Sequence, residues 1–270
     1  MKSRFLTYFA LVLGAVIFAY PFIWMFFATL KPEFEISDLW LLSKNMSLKN
    51  YSIVLRKIPI VRAFFNSLFV SISITFSVII FGSIVGYALS RLRFYGRDFL
   101  LMLILFTMMI PFQITLIPTY VLIVKLGLVD TYAGLILPVM MSSFSILIFR
   151  QFFLTIPQSL IESARLDGCN NLQILFKIII PLSKPAVVTV GILTFMSSWN
   201  EVLWPLIVIR NEKLMTMPQL VTIFVLGGQA ESQLGVQLAS ATLLALPVLL
   251  AYSFFQRYFI ESMATTGLKE

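Results

Sequence analysis

The chain has no histidine, one cysteine (Cys169), and charged side chains at only 12% of its 270 positions. Without histidine there is no imidazole base, no Cys–His pair and no His-containing metal cluster, and a lone thiol closes no internal disulfide. No Gly-x-x-x-x-Gly-Lys-[Ser/Thr] loop is present to cradle phosphates, and no helix face carries paired carboxylates. The expectation is therefore a non-enzyme with no catalytic residue, no metal site and no cofactor of its own. What is abundant is apolar: 59% of residues are hydrophobic, where soluble domains hold about 45–50% apolar and about 25% charged residues. This composition predicts an all-α integral membrane protein. The net charge of +8 points away from nucleic acid in that setting, because Lys and Arg there set topology and meet anionic headgroups of membrane lipid.

Apolar runs predict a polytopic protein with six transmembrane helices, at Phe5–Leu30, Ala63–Leu89, Phe99–Val124, Gly134–Phe153, Ala186–Ile209 and Leu238–Phe259. Each approaches or exceeds the roughly 20 residues needed to cross the hydrocarbon. The first follows Met1-Lys2-Ser3-Arg4 and imitates a signal peptide, but exceeds the roughly 7–15 residues of a signal core and is read as a retained span. Leu214–Ala230 is uncharged, yet its continuous apolar core, Leu220–Leu226, is short. It reads as an interfacial or re-entrant segment. Arg91, Arg93 and Arg97 crowd one short loop, while the loop after the third span offers only Lys125, which puts both termini on the cytoplasmic side. With no linker or low-complexity segment, residues 1–270 read as a single transmembrane domain.

The longest polar interruption of the second half runs from Thr155 to Pro185. Thr155 with Gln158 has the spacing of a capping box, with Pro157 in the first helical turn. Gly168 suits a left-handed helix stop, and Asn170 or Asn171 can cap a second helix. In that helix Leu172, Leu175, Phe176 and Ile179 follow the i, i+3, i+4, i+7 rule and predict one apolar face, ended by Pro181 and Pro185. Two short helices between hydrophobic spans form a rigid knob suited to a partner's groove.

The same stretch carries a resemblance. Glu162-x-Ala164-x-x-Asp167-Gly168, Phe176 and Pro181-Leu182-x-x-Pro185 resemble the "EAA" signature of the membrane subunits of binding-protein-dependent ABC importers. Ser163 stands where the family usually has a second Ala, and is small enough for the same close packing. Trp199-Asn200-Glu201 resembles the fifth-span segment of carbohydrate importers of the maltose-permease type. Leu30-Lys31-Pro32-Glu33 resembles the same group, as does the tail Glu261–Glu270, where Leu268 and Glu270 depart from its pattern.

The resemblance implies a permease domain over 1–270 whose loop at about 155–185 is a two-helix cytoplasmic coupling element. Glu162, Ser163, Ala164, Asp167, Gly168, Phe176 and Pro181 would meet an ATPase subunit. Trp199, Asn200 and Glu201 would line a translocation path or gate, since a charge within a span belongs in a cavity or against a partner. For Glu201, a place near the outer interface with its head in water is the competing reading. The loop before the last span, with Gly227, Gly228, Gln229, Glu231 and Gln233, would touch the solute-binding protein. Implied partners are a second, related permease chain, two ATPase subunits that bind the ATP, an extracytoplasmic binding protein and a sugar. The implied place is the bacterial cell membrane. An importer for another solute shares the signature. A secondary transporter would need coupling-ion ligands, for which Glu201 alone is a poor set.

Overall fold

The structure is a computed structural model that describes residues 2–38, 40–228, 230 and 233–267, with side chains described for 6–38, 40–228, 230, 233–250 and 253. The described residues are helices, turns and loops, without a strand. They form two compact units: Met1–Ala63 with Leu220–Leu249, and Phe64–Gln219 with Leu250–Glu270.

In the first unit, α1 (Lys2–Leu30) contains a 25-residue apolar stretch, Leu6–Leu30, with none of its most apolar window buried. Such a helix is stable only with lipid or a partner around it. Its C-terminal carbonyls would be orphaned. Asn50, at the start of α2 (Lys49–Lys57), answers them: its Nδ2 donates to Thr29 O at 2.8 Å and to Lys31 O at 3.2 Å. Lys31 is buried and turns its ammonium onto the carbonyls of Asp38 (3.0 Å) and Trp40. Glu33 then accepts from the backbone N–H groups of Leu234 and Gly235 (3.0 Å), at the start of α14 (Leu234–Gly267). A carboxylate at a helix N-terminus satisfies orphan donors and meets the positive end of the dipole. Leu30-Lys31-Pro32-Glu33 thus has a structural purpose in this chain, as a clasp between two helices.

The second unit is built on α3 (Ile60–Arg91), 32 residues long and long enough to cross a membrane. It packs against α7 (Ser143–Thr155) through Gly82 and Gly86. A Cβ on Gly86 would lie 2.8 Å from Phe149 Cβ and 3.1 Å from Arg150 N. Small residues four apart let helices approach this closely. Around that seam lies a core that includes Val78, Tyr87, Phe149, Phe153, Ile161, Ile174, Leu175, Ile179, Val190 and Trp204.

Several expected spans are broken. The third divides into α4 (Arg97–Met108) and α5 (Phe112–Lys125), bent by 101°, with Pro111 at the break. In the fourth, α6 (Tyr132–Ile136) continues as a 3-10 turn containing Pro138, and meets α7 at 47°. Proline removes a helical donor and clashes with the preceding turn, which accounts for the break at Pro111, whereas Pro21 and Pro118 lie inside α1 and α5. The fifth stops at Trp199, leaving α11 (Lys184–Trp199) and a short α12 (Leu203–Val208). By length and composition two described helices can cross a membrane, or up to five if each bent pair is one span. The segment after them, α13 (Met217–Leu226), has ten residues, about 15 Å of rise against a core about 30 Å thick.

Candidate functional site: a polar element and a cavity joined by one helix

The polar element comprises α8 (Gln158–Leu166), α9 (Asn171–Ile174), a π-helical turn over Leu175–Ile179 and α10 (Ile180–Leu182). The expected capping box of Thr155 and Gln158 does not form. Ile156 precedes Pro157 and is extended (ψ 132°), as the residue before proline prefers, so α8 begins only at Gln158 with Pro157 as its cap. Thr155 turns its hydroxyl back to Phe152 O at 2.7 Å. Arg91, the last residue of α3, takes over instead. It donates from Nε to Phe153 O at 3.1 Å, from Nη1 to Gln158 Oε1 at 3.0 Å, and from Nη2 to the carbonyls of Phe153 and Ile156. One guanidinium thereby closes the end of α7 and holds the start of α8.

Gly168 has φ +82° and ends α8, as its position predicts. Asn170 and Gln173 form a full capping box, each side chain accepting from the other's backbone N–H at 2.9 Å. The predicted apolar face is rotated. Ile174, Leu175 and Ile179 are fully buried, whereas Leu172 and Phe176 stand 58% and 44% exposed. The π turn widens the spacing at Leu175–Ile179, and this re-aims Phe176 outward. Glu162, Ser163, Asp167 and Pro181 are exposed, while Ala164 is buried in the subunit's own core. The exposed residues of the element thus include Glu162, Ser163, Asp167, Leu172, Phe176 and Pro181. Among the described residues the Asp167 carboxylate accepts no hydrogen bond, so the turn rests on Gly168 and the Asn170 box.

A cavity of about 700 Å³ opens within the second unit. Its wall includes Ser67, Ser71 and Ile74 of α3, Phe112 and Gln113 of α5, Ser142 and Ser145 beside and on α7, and Thr194, Ser197 and Glu201. Of the three residues expected on a path, only Glu201 lines it. Trp199 is fully buried, stacked on Phe195 (5.8 Å) and edge-on to Phe64 (5.7 Å). Asn200 turns its amide back to Met196 O at 2.8 Å. Glu201 occupies the break between α11 and α12, where its Oε1 accepts from Trp204 N at 3.1 Å and caps the short helix. Trp204 is fixed in turn by Nε1 donating to Gly134 O at 3.1 Å and by the edge of Phe112. Sequence reasoning missed the wall of α3. Its signal was the pair of serines Ser67 and Ser71, spaced four apart on one face of a long helix.

In the loop expected to touch a binding protein, Gly227 and Gly228 form the stop of α13. Gly228 has φ +73°, and a Cβ on Gly227 would lie 2.6 Å from Ile223 O. Gln233 precedes α14, its N–H donating to Ala230 O at 2.9 Å. Gln229 and Glu231 lie outside the described residues.

The sequence pattern described as "Binding-protein-dependent transport system inner membrane component" matches residues 78–265. The chain belongs to this family. It is a permease subunit of a binding-protein-dependent ABC importer, a non-enzymatic membrane component. The chain is 35% identical to the arabinooligosaccharides transport system permease protein AraQ of Bacillus subtilis, over 98% of this chain and 95% of that one. It is 31% identical to the sn-glycerol-3-phosphate transport system permease protein UgpE of Brucella abortus, over 98% and 97%. A solved bacterial ABC transporter involved in the import of the acidic polysaccharide alginate contains a chain with the same fold, at TM-score 0.81 and 28% identity over 96% of this chain and 97% of that one.

Proposed function

We propose that this permease passes a sugar or oligosaccharide, handed over by an extracytoplasmic binding protein, across the bacterial cell membrane. It works beside a second, distinct permease chain, and two separate ATPase subunits bind and hydrolyse the ATP. In this reading the chain crosses the membrane six times with both termini in the cytoplasm. The element at 155–185 meets an ATPase through Glu162, Ser163, Asp167, Leu172 and Phe176, with Gly168, Pro181 and the buried Ala164 setting its shape. The segment 227–233 faces the binding protein.

One observation carries the reading. A single unbroken helix, α3, lines the cavity with Ser67, Ser71 and Ile74, and at its last residue, Arg91, grips the exposed polar element. From Ser71 to Arg91 the helix spans about 30 Å at 1.5 Å per residue. A push on Glu162 or Phe176 from an ATPase closing on ATP would reach the cavity wall as rigid-body motion, the kind of rocking that changes access from one side to the other.

Full-length similarity to an arabinooligosaccharide permease supports the sugar. The test is uptake by proteoliposomes holding the complete complex. Arabino-oligosaccharide should enter only with ATP inside and binding protein outside, and vanadate should stop it. Uptake that ignores vanadate would indicate a secondary transporter. The similarity to a glycerol-3-phosphate permease favours a second reading, a small phosphorylated solute, which the same assay scores with glycerol 3-phosphate.

A further inference from the structure

We propose that the cavity selects by charge: it admits neutral saccharide chains and rejects those carrying uronate or phosphate groups, with Glu201 as the discriminating side chain. This rests on the reading of the chain as a sugar permease.

The argument starts from the lining. Glu201 is the only ionisable side chain among the described residues that line the cavity, and no Lys or Arg stands there to receive an anion. Among the described residues no Lys or Arg pairs with Glu201, whose Oε1 accepts from the Trp204 N–H at the start of α12. The other polar groups are hydroxyls and one amide, among them Ser71, Gln113, Thr194 and Thr216. Between these groups lie the rings of Phe112, Phe144 and Trp204, apolar faces against which the C–H side of a sugar ring can rest. The combination matches a neutral polyol. An anion would lose its hydration, find no counter-charge and meet the Glu201 carboxylate. Two of the relatives' solutes differ on this point: arabino-oligosaccharides are neutral, alginate is acidic.

The test uses the assembled complex in membrane vesicles, with Cys169→Ser removing the native thiol and Ser197→Cys placing a reporter on the cavity wall. The rate of maleimide labelling is measured alone, with an arabinose trisaccharide, and with a uronic-acid trisaccharide. The arabinose trisaccharide should slow labelling several-fold and the uronate should leave it unchanged. With Glu201→Gln, which keeps an oxygen to cap Trp204 N, the uronate should gain protection. Equal protection by both sugars in the parent would overturn charge selection while leaving the permease reading intact. So would continued exclusion of the uronate by Glu201→Gln. If neither sugar slows labelling while vanadate-sensitive uptake persists, the cavity is not the path and the inference falls alone. If uptake itself is absent, it is the proposed function that fails.

Discussion

Arg91 donates from Nε to the carbonyl of Phe153 at 3.1 Å, across 62 positions of sequence, and so fixes the end of the cavity-lining helix to the root of the polar element. The same guanidinium serves Ile156 and Gln158. A hydrogen bond involving a charged group contributes about 1.5–3 kcal/mol. Arg91→Ala should therefore lower the melting temperature of the purified subunit and reduce ATPase co-purification together. Arg91→Lys should recover part of the stability and little of the coupling, because an ammonium cannot reproduce the planar fork. Wild-type uptake by Arg91→Ala would remove this contact from the account.

The seam between α3 and α7 gives a steric prediction. Gly86→Val places a Cβ 2.8 Å from Phe149 Cβ and against the backbone of Arg150. Overpacking of this kind costs about 1–3 kcal/mol. Gly14→Val, where nothing lies within 4 Å, should be silent by the same thermal assay.

Asp130 links two loops. Its Oδ1 accepts from the N–H groups of Arg210 (2.6 Å) and Asn211 (2.8 Å), and these bonds hold its carboxyl below the usual carboxylate range. A depressed carboxylate stabilises the fold above its unfolded pKa of about 3.9, and that contribution is lost as pH falls through the lower folded value. Asp130→Asn tolerates the residue's φ of 55° but removes the charge. The parent should lose more stability than Asp130→Asn when acidified below about pH 4, as measured by thermal unfolding across pH. Parallel curves would show that the two bonds do not favour the ionised form.

These contacts mark the limit of what the sequence discloses. The apolar runs declare helices, and Gly168 and the Asn170–Gln173 box are legible because a left-handed stop and a reciprocal cap depend on neighbours in the chain. The cap that Arg91 provides to α7 and α8 is not, because its partners are more than sixty positions away. Phe176 was legible by type but not by its neighbours, since a π turn shifts the periodicity on which its face was read. Trp199 beside Glu201 looked like a path residue, but the helix ends between them and only the carboxylate meets the cavity. Ser67 and Ser71 of α3 are not legible as a site in the sequence, because only the cavity formed with α5, α7 and α11 shows that they share a wall.

The proposed topology is tested by two exposed positions. In a Cys169→Ser background, Leu226→Cys should react with an impermeant maleimide in intact cells whose outer barriers are permeabilised. Leu166→Cys, 90% exposed on the polar element, should react only after the cell membrane is opened. The reverse pattern would invert the orientation.

The central claim is that the outward side of the polar element receives the ATPase. Leu172 and Phe176 are exposed, so replacing both by Asp should leave the fold and membrane insertion intact. The decisive measurement is ATP-driven, binding-protein-dependent uptake by the complex carrying Leu172→Asp and Phe176→Asp, scored beside ATPase co-purification. The account predicts that the variant subunit keeps its melting temperature, loses its ATPase and takes up sugar at background. Full uptake with the ATPase retained would contradict it.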